Sequence, residues 1–225
     1  MEAQEQQHPE GWPQSVQVEE HPELDAACFL TVFSAPLETL EVPAALRAFF
    51  AHGVQTPMDE VDAKGPVRDL LRHGGFKPTG RNKPACEYLT KAIDKGWFGP
   101  DKGINLAVDA CNVVSLHSSL PISVIDAHRA QSPWSIAICP KGTSYVFNPS
   151  GQTIDIGGLL SFHDEQGPCG GPVKDSQRTK THEGTTHTIS VIWGTERLPG
   201  RTQQALQWYR QLLHDAGAQT FLLQT

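Results

Sequence analysis

Stretches with helical spacing crowd into the first half of this chain and stretches with strand spacing into the second, and that order rules out most architectures. Residues 42–52, 66–73, 84–95 and 104–117 each read as a helix. Pro43, Pro66 and Pro84 sit at or near the starts of the first three, and Gly53, Gly74-Gly75 and Gly96 at their ends, where these residue types belong. On 84–95 the buried stripe is expected to be Tyr88, Ala92 and either Leu89 or Ile93. Short β-type runs occupy 28–33, 122–125, 135–139, 144–147, 153–156 and 186–193, with turns at 141–143 and 149–152. A closing helix spans 201–216, and 221–223 is a candidate edge strand. Helices first and strands later predict an α+β fold, with mixed, mostly antiparallel sheets packed on several helices, and not a βαβ alternation. No internal repeat is present. Residues 1–24 are rich in Gln, Glu, His and Pro and predict a flexible acidic tail ahead of a single domain over 25–225.

A chain of 225 residues with 38% hydrophobic content can bury a substantial core. No run of 18 apolar residues predicts a membrane span, and the start lacks a basic-then-apolar leader pattern. The five cysteines are scattered and odd in number, which suits a reducing, cytoplasmic setting better than a disulfide framework. The net charge of −7 is unevenly spread. Residues 1–63 hold 12 acidic side chains against one basic, whereas 64–225 hold 17 basic against 13 acidic. Lys64, Arg68, Arg72, Lys77, Arg81 and Lys83 face a single Asp69 within 64–83, and Lys174, Arg178 and Lys180 form a second group. Two such patches suit salt-sensitive phosphate contacts; an ordinary solvated surface is the plain alternative.

Three constellations can carry chemistry. On the helix from 104, Asn105, Asp109 and Asn112 recur at i, i+4 and i+7 and share one face, with Ser115 in line. Ile104, Val108 and Cys111 are expected to face the interior beside them. Buried polar groups need partners, so Asn105 and Asp109 are expected to tie down backbone, especially near Gly80-Arg81-Asn82, while Asn112 either does the same or lines a pocket. In the loop 77–84, Arg81 offers a five-donor fork for phosphate or carboxylate. Asn82 can cap the next helix or reach substrate, and Glu87 can complete a capping box, pair with Arg81 or enter the pocket. The long polar segment 163–185 contains Lys174, Asp175 and Lys180 and can close over a substrate or stay a charged loop. No CxxC or HExxH spacing supports a metal, no Walker A loop or GxSxG elbow occurs, and no cofactor is expected.

The string G-F-K-P-T-G-R-N-K-P (75–84), followed by I-N-x-x-V-D-x-x-N-x-x-S-L and L-P-x-x-x-x-D ending at Asp126, resembles the freestanding B3/4-domain proteins. These are similar to the editing module of the bacterial phenylalanyl-tRNA synthetase beta chain. The resemblance implies a trans-acting aminoacyl-tRNA deacylase whose partner is a mischarged tRNA. Asn112 and Ser123 would then act on the aminoacyl group or the water. Arg81, Asn82, Glu87, Lys174 and Asp175 would bind substrate, and Arg68, Lys77, Lys83 and Lys180 the tRNA. Where the synthetase module has a Thr and a His, this chain has Cys111 and Ser123, so a different amino acid is expected. The resemblance also implies a substrate, since some freestanding members clear the arginine-like canavanine from arginine tRNA, and the candidate carboxylates suit that group. A non-catalytic module that binds a tRNA end or an amino acid is the competing class, and a Cys-dependent hydrolase the third.

Overall fold

The computed structural model describes residues 8–225. Its centre is a four-stranded sheet ordered β10-β2-β9-β3, built from β2 (Leu24–Val32), β3 (Ile122–Asp126), β9 (His187–Thr195) and β10 (Gln219–Leu223). All three of its pairings are antiparallel. Side chains alternate across a strand, and here both faces are apolar. Phe29, Ile122, Val124 and Ile192 point into a cluster with α1 (Ala44–Ala48), α4 (Leu106–Ser118) and α5 (Arg201–Asp215). Cys28, Leu30, Ile125, Val191 and Trp193 point into a second cluster on the opposite face.

That second cluster is closed by another four-stranded sheet, β1-β4-β7-β8, made of β1 (Gln17–Val18), β4 (Ser135–Ile138), β7 (Leu160–Asp164) and β8 (Gly167–Gly170). The molecule is thus three layers, helices on sheet on sheet, with α2 (Lys64–Arg72) adding Leu70 and Leu71 to the second core. A small hairpin of β5 (Ser144–Val146) and β6 (Thr153–Asp155) and the helix α3 (Ala85–Asp94) complete it. The α+β expectation holds. The mixture is real too, because β1 pairs with β4 in parallel.

That pairing corrects the expected tail over its described part. Residues 8–24 are structured: Val16 is fully buried, its amide donates to the Gln224 carbonyl at 2.8 Å, and Trp12 stacks on His187 with centroids 4.9 Å apart. Apolar anchors spaced through a polar stretch outweigh its composition. Residues 1–7 lie outside the described residues. The segment 163–185 is likewise not one loop. It contains the end of β7, all of β8 and a 3-10 turn at Gln177–Thr179. The Ser176 amide and Thr179 hydroxyl both donate to the Cys169 carbonyl, at 2.9 and 3.0 Å. Lys180 bridges to Ile125, so this segment covers the otherwise free edge of β3.

The glycine-rich connection after α2 has a packing reason. A Cβ on Gly74 would lie 2.4 Å from the Gly158 carbonyl oxygen, so only glycine lets these two turns touch. Gly75, at φ +92°, then reverses the chain.

Candidate functional site

The polar ladder on α4 divides by depth. Asn105 is the N-cap, its Oδ1 accepting from the Val108 amide at 3.0 Å. Asp109 is wholly buried and accepts from Arg47 Nε at 3.1 Å and the Ile104 amide at 2.8 Å. Both are scaffolding, as their spacing suggested, but their partners are Arg47, Ile104 and Val108, not the 80–82 loop. Ile104 itself, expected inside, precedes the cap and is 62% exposed. Ser115 is also committed, its hydroxyl donating to the Leu120 carbonyl at 2.7 Å.

Asn112, one rung further, lines a cavity of about 300 Å³. Ala85, Tyr88 and Leu89 of α3 form one wall, Ser115 and Ile122 another, and Val173 and Lys174 a third. Tyr88, expected in the buried stripe, is 36% exposed and donates its hydroxyl to the Gly80 carbonyl at 3.3 Å. Only Cys86 of α3 is fully buried, and the Ala85 amide donates to the Pro172 carbonyl at 2.9 Å, joining two walls. Ile122 belongs to the helix-side core and Val173 to the inter-sheet core, so the cavity lies on the seam between them.

Three of the anticipated cations meet beside this cavity. Lys174 Nζ sits 3.7 Å from the centroid of the Phe147 ring, and Lys180 Nζ donates to the Phe147 carbonyl at 2.6 Å. Burial, then the charges of Arg81 and Lys180, hold the Lys174 ammonium below the usual lysine range. Burial also lowers Lys180. Among the described residues none of the three is in an ion pair. Phe147 touches both lysines, with its ring for Lys174 and its carbonyl for Lys180.

The other anticipated residues lie elsewhere. Arg68 and Glu87 form a two-pronged ion pair, with both N–O distances 2.7 Å, so neither is open to tRNA or substrate. Asn82 does not cap α3, whose N-cap is Pro84 with no side-chain hydrogen bond. Lys83 lies beside Lys91, whose charge holds its ammonium below the usual range. Lys77 is exposed and outside the cavity wall.

Ser123 follows Ile122 on β3 and so points to the opposite face of the central sheet from α4 and Asn112. It is fully buried, accepts from Trp193 Nε1 at 3.0 Å and donates to the Gly171 carbonyl at 3.2 Å. Asp175 is not among the residues lining the cavity, and its Oδ1 accepts from the Gly171 amide at 3.0 Å. Burial pushes its carboxyl up to about 6, against the opposing pull of Ser123, the Gly171 and Val124 amides and Lys180. The two residues form a support beneath the site, and the pair Asn112 and Ser123 is not brought together.

A thiol nucleophile has no place in this arrangement. All five cysteines are free and buried, and burial pushes Cys28, Cys86 and Cys169 up to about 12, with Cys111 and Cys139 raised as well.

No family model matches the chain, and no curated protein does. Among solved structures it is similar to an N-terminal fragment of the phenylalanyl-tRNA synthetase beta-subunit from Pyrococcus horikoshii, at 11% identity and a TM-score of 0.44. The likeness covers 51% of this chain and 41% of that one.

Proposed function

We propose that the chain hydrolyses the ester bond of a mischarged tRNA, holding the aminoacyl group in the cavity beside Asn112. One observation carries this reading: an apolar-walled cavity of about 300 Å³, with a single carboxamide on its wall, has Lys174 on its lining and Lys180 meeting it at Phe147, and neither cation is in an ion pair among the described residues. The walls suit an aminoacyl side chain and the cations suit the phosphates of an acceptor end. The motif resemblance over 75–126 supplies the reaction class.

The lining residues include no carboxylate, imidazole or thiol. An activated ester does not need one. Asn112 would hold the carbonyl or the attacking water, and the vicinal hydroxyl of the terminal adenosine would assist. The carbonyl–oxygen bond to the ribose breaks as water adds, and the ribose hydroxyl leaves with the proton. Orientation and stabilisation of the developing oxyanion would carry the rate. Canavanyl-tRNA(Arg) is the sequence-based expectation for the substrate. Its guanidinium-like group would need a carboxylate, yet Glu87 is spent on Arg68 and neither Glu87 nor Asp175 is among the lining residues. An uncharged side chain fits the lining better.

A deacylation panel that sets canavanyl-tRNA(Arg) beside tRNAs carrying uncharged non-cognate amino acids tests both points. At least one ester should be hydrolysed, with Asn112→Ala lowering kcat roughly 10²-fold, the scale for losing one oxyanion donor, and Lys174→Ala acting mainly on KM. Binding of tRNA without hydrolysis of any ester would sink the enzyme reading and leave the binding module.

A further inference from the structure

Trp97 has the largest exposure, 67%, of the exposed large apolar side chains among the described residues. It is nevertheless held in place. Gly96, at φ +65°, ends α3, and the Trp97 and Phe98 amides both donate to the Ala92 carbonyl, at 2.8 and 3.4 Å. Lys102 Nζ closes the turn onto the Gly96 carbonyl at 2.6 Å. Phe98 turns inward and packs on Phe50 at 5.7 Å, while its neighbour Trp97 is left facing solvent. An indole whose backbone is pinned in a closed turn and whose ring is offered to water is a costly arrangement unless something stacks on it.

The charge around it is basic. Lys95 Nζ stands 4.6 Å from the indole centroid, and Lys91 lies close enough to Lys83 to hold its ammonium below the usual range. Residues 64–102 carry nine basic side chains against four acidic, in a protein of net charge −7. Two of those four are spent, Asp69 on Arg72 and Arg197 and Glu87 on Arg68, which leaves Asp94 and Asp101. The same helix carries Tyr88 at the cavity mouth, about 10 Å from Lys95 along the axis at ~1.5 Å per residue.

We propose that the outer face of α3 and the turn after it dock an unpaired segment of RNA, with one base stacked on Trp97 and phosphates against Lys83, Lys91 and Lys95. A single anchored indole among spaced lysines matches one base and its flanking phosphates. A lipid surface would call for several apolar side chains at this tip, and within residues 96–102 Trp97 is the exposed large one. The identity of the strand, the end of a charged tRNA, rests on the deacylase reading, and the surface then leads that end along α3 to the cavity.

Fluorescence anisotropy of the full chain with a labelled single-stranded RNA 12-mer, at two salt concentrations, tests this. Trp97→Ala should weaken binding about 5- to 100-fold, the range for losing one base stack, and Trp97→Phe should restore most of it. Lys91→Glu with Lys95→Glu should flatten the salt dependence by a slope of about 1.4, at ~0.7 per single-strand phosphate. Unchanged affinity in both variants overturns the surface, and so does binding to phosphatidylserine vesicles with none to RNA. If no ester is hydrolysed yet RNA binding still depends on Trp97, the surface stands and the deacylase falls. If Trp97→Ala deacylates with wild-type KM, the surface alone falls.

Discussion

Asp175 shows what a single buried carboxyl does to a protein of this size. Its folded pKa of about 6 lies above the ordinary carboxylate value of 3.8, so the folded state holds the proton more tightly than the unfolded chain. This contribution is therefore largest below about pH 4 and is lost as pH rises through about 6. At ~1.4 kcal/mol per unit the loss amounts to at most about 3 kcal/mol. Urea unfolding between pH 4.5 and 7.5 should show stability falling across that window, and Asp175→Asn should remove the fall. An unchanged slope in the variant would discard the assignment. At this scale the sequence set Asn105, Asp109 and Asn112 on one face of α4, because helical spacing is local, whereas their depth, which separates them, is not. It did not show that Arg68 takes Glu87, or that Ser123 turns away from Asn112. Those facts depend on how α2 meets α3 and on which face of β3 is which, and both are settled only by packing.

Elements here are joined by a few polar contacts whose geometry leaves no slack. Arg47 of α1 and Asp109 of α4 make one such joint, and Gly103 is its lid: a Cβ there would lie 2.0 Å from Asp109 Oδ2 and 2.7 Å from Arg47 Nε. Gly103→Ala should cost about 1–3 kcal/mol in chemical denaturation, less than a fully buried pair because Arg47 keeps contact with water. In an Asp109→Asn background the cost should shrink; full additivity would show that the joint is not what the methyl disrupts. Most elements were legible from alternation, helical spacing and Pro/Gly punctuation, including the edge position of β10. β7 and β8 were not. Gly167, Pro168 and Gly170 argue against a strand, and β8 tolerates Pro168 because it lies at the end of its sheet. β1 was hidden by the polar residues around Val16.

Across the whole molecule, one sheet divides two cores, and cysteines sit in both. Cys111 belongs to the helix-side core and Cys28, Cys139 and Cys169 to the inter-sheet core. With every thiol buried and raised above its ordinary pKa, a thiol reagent at pH 8 should label the native protein slowly and all five sites together on unfolding. Rapid modification of one site, with activity lost in step, would revive the cysteine hydrolase. That sheets pack with helices followed from the order of elements; the stacking of one sheet on the other did not. The cavity did not, since it depends on the 170–180 segment rounding the edge of β3. Its place on the seam has a thermodynamic consequence. A guest there touches both cores at once and works as a keystone, so its binding free energy is added to the cohesion of the entire fold and registers as a higher melting temperature, whichever wall it grips.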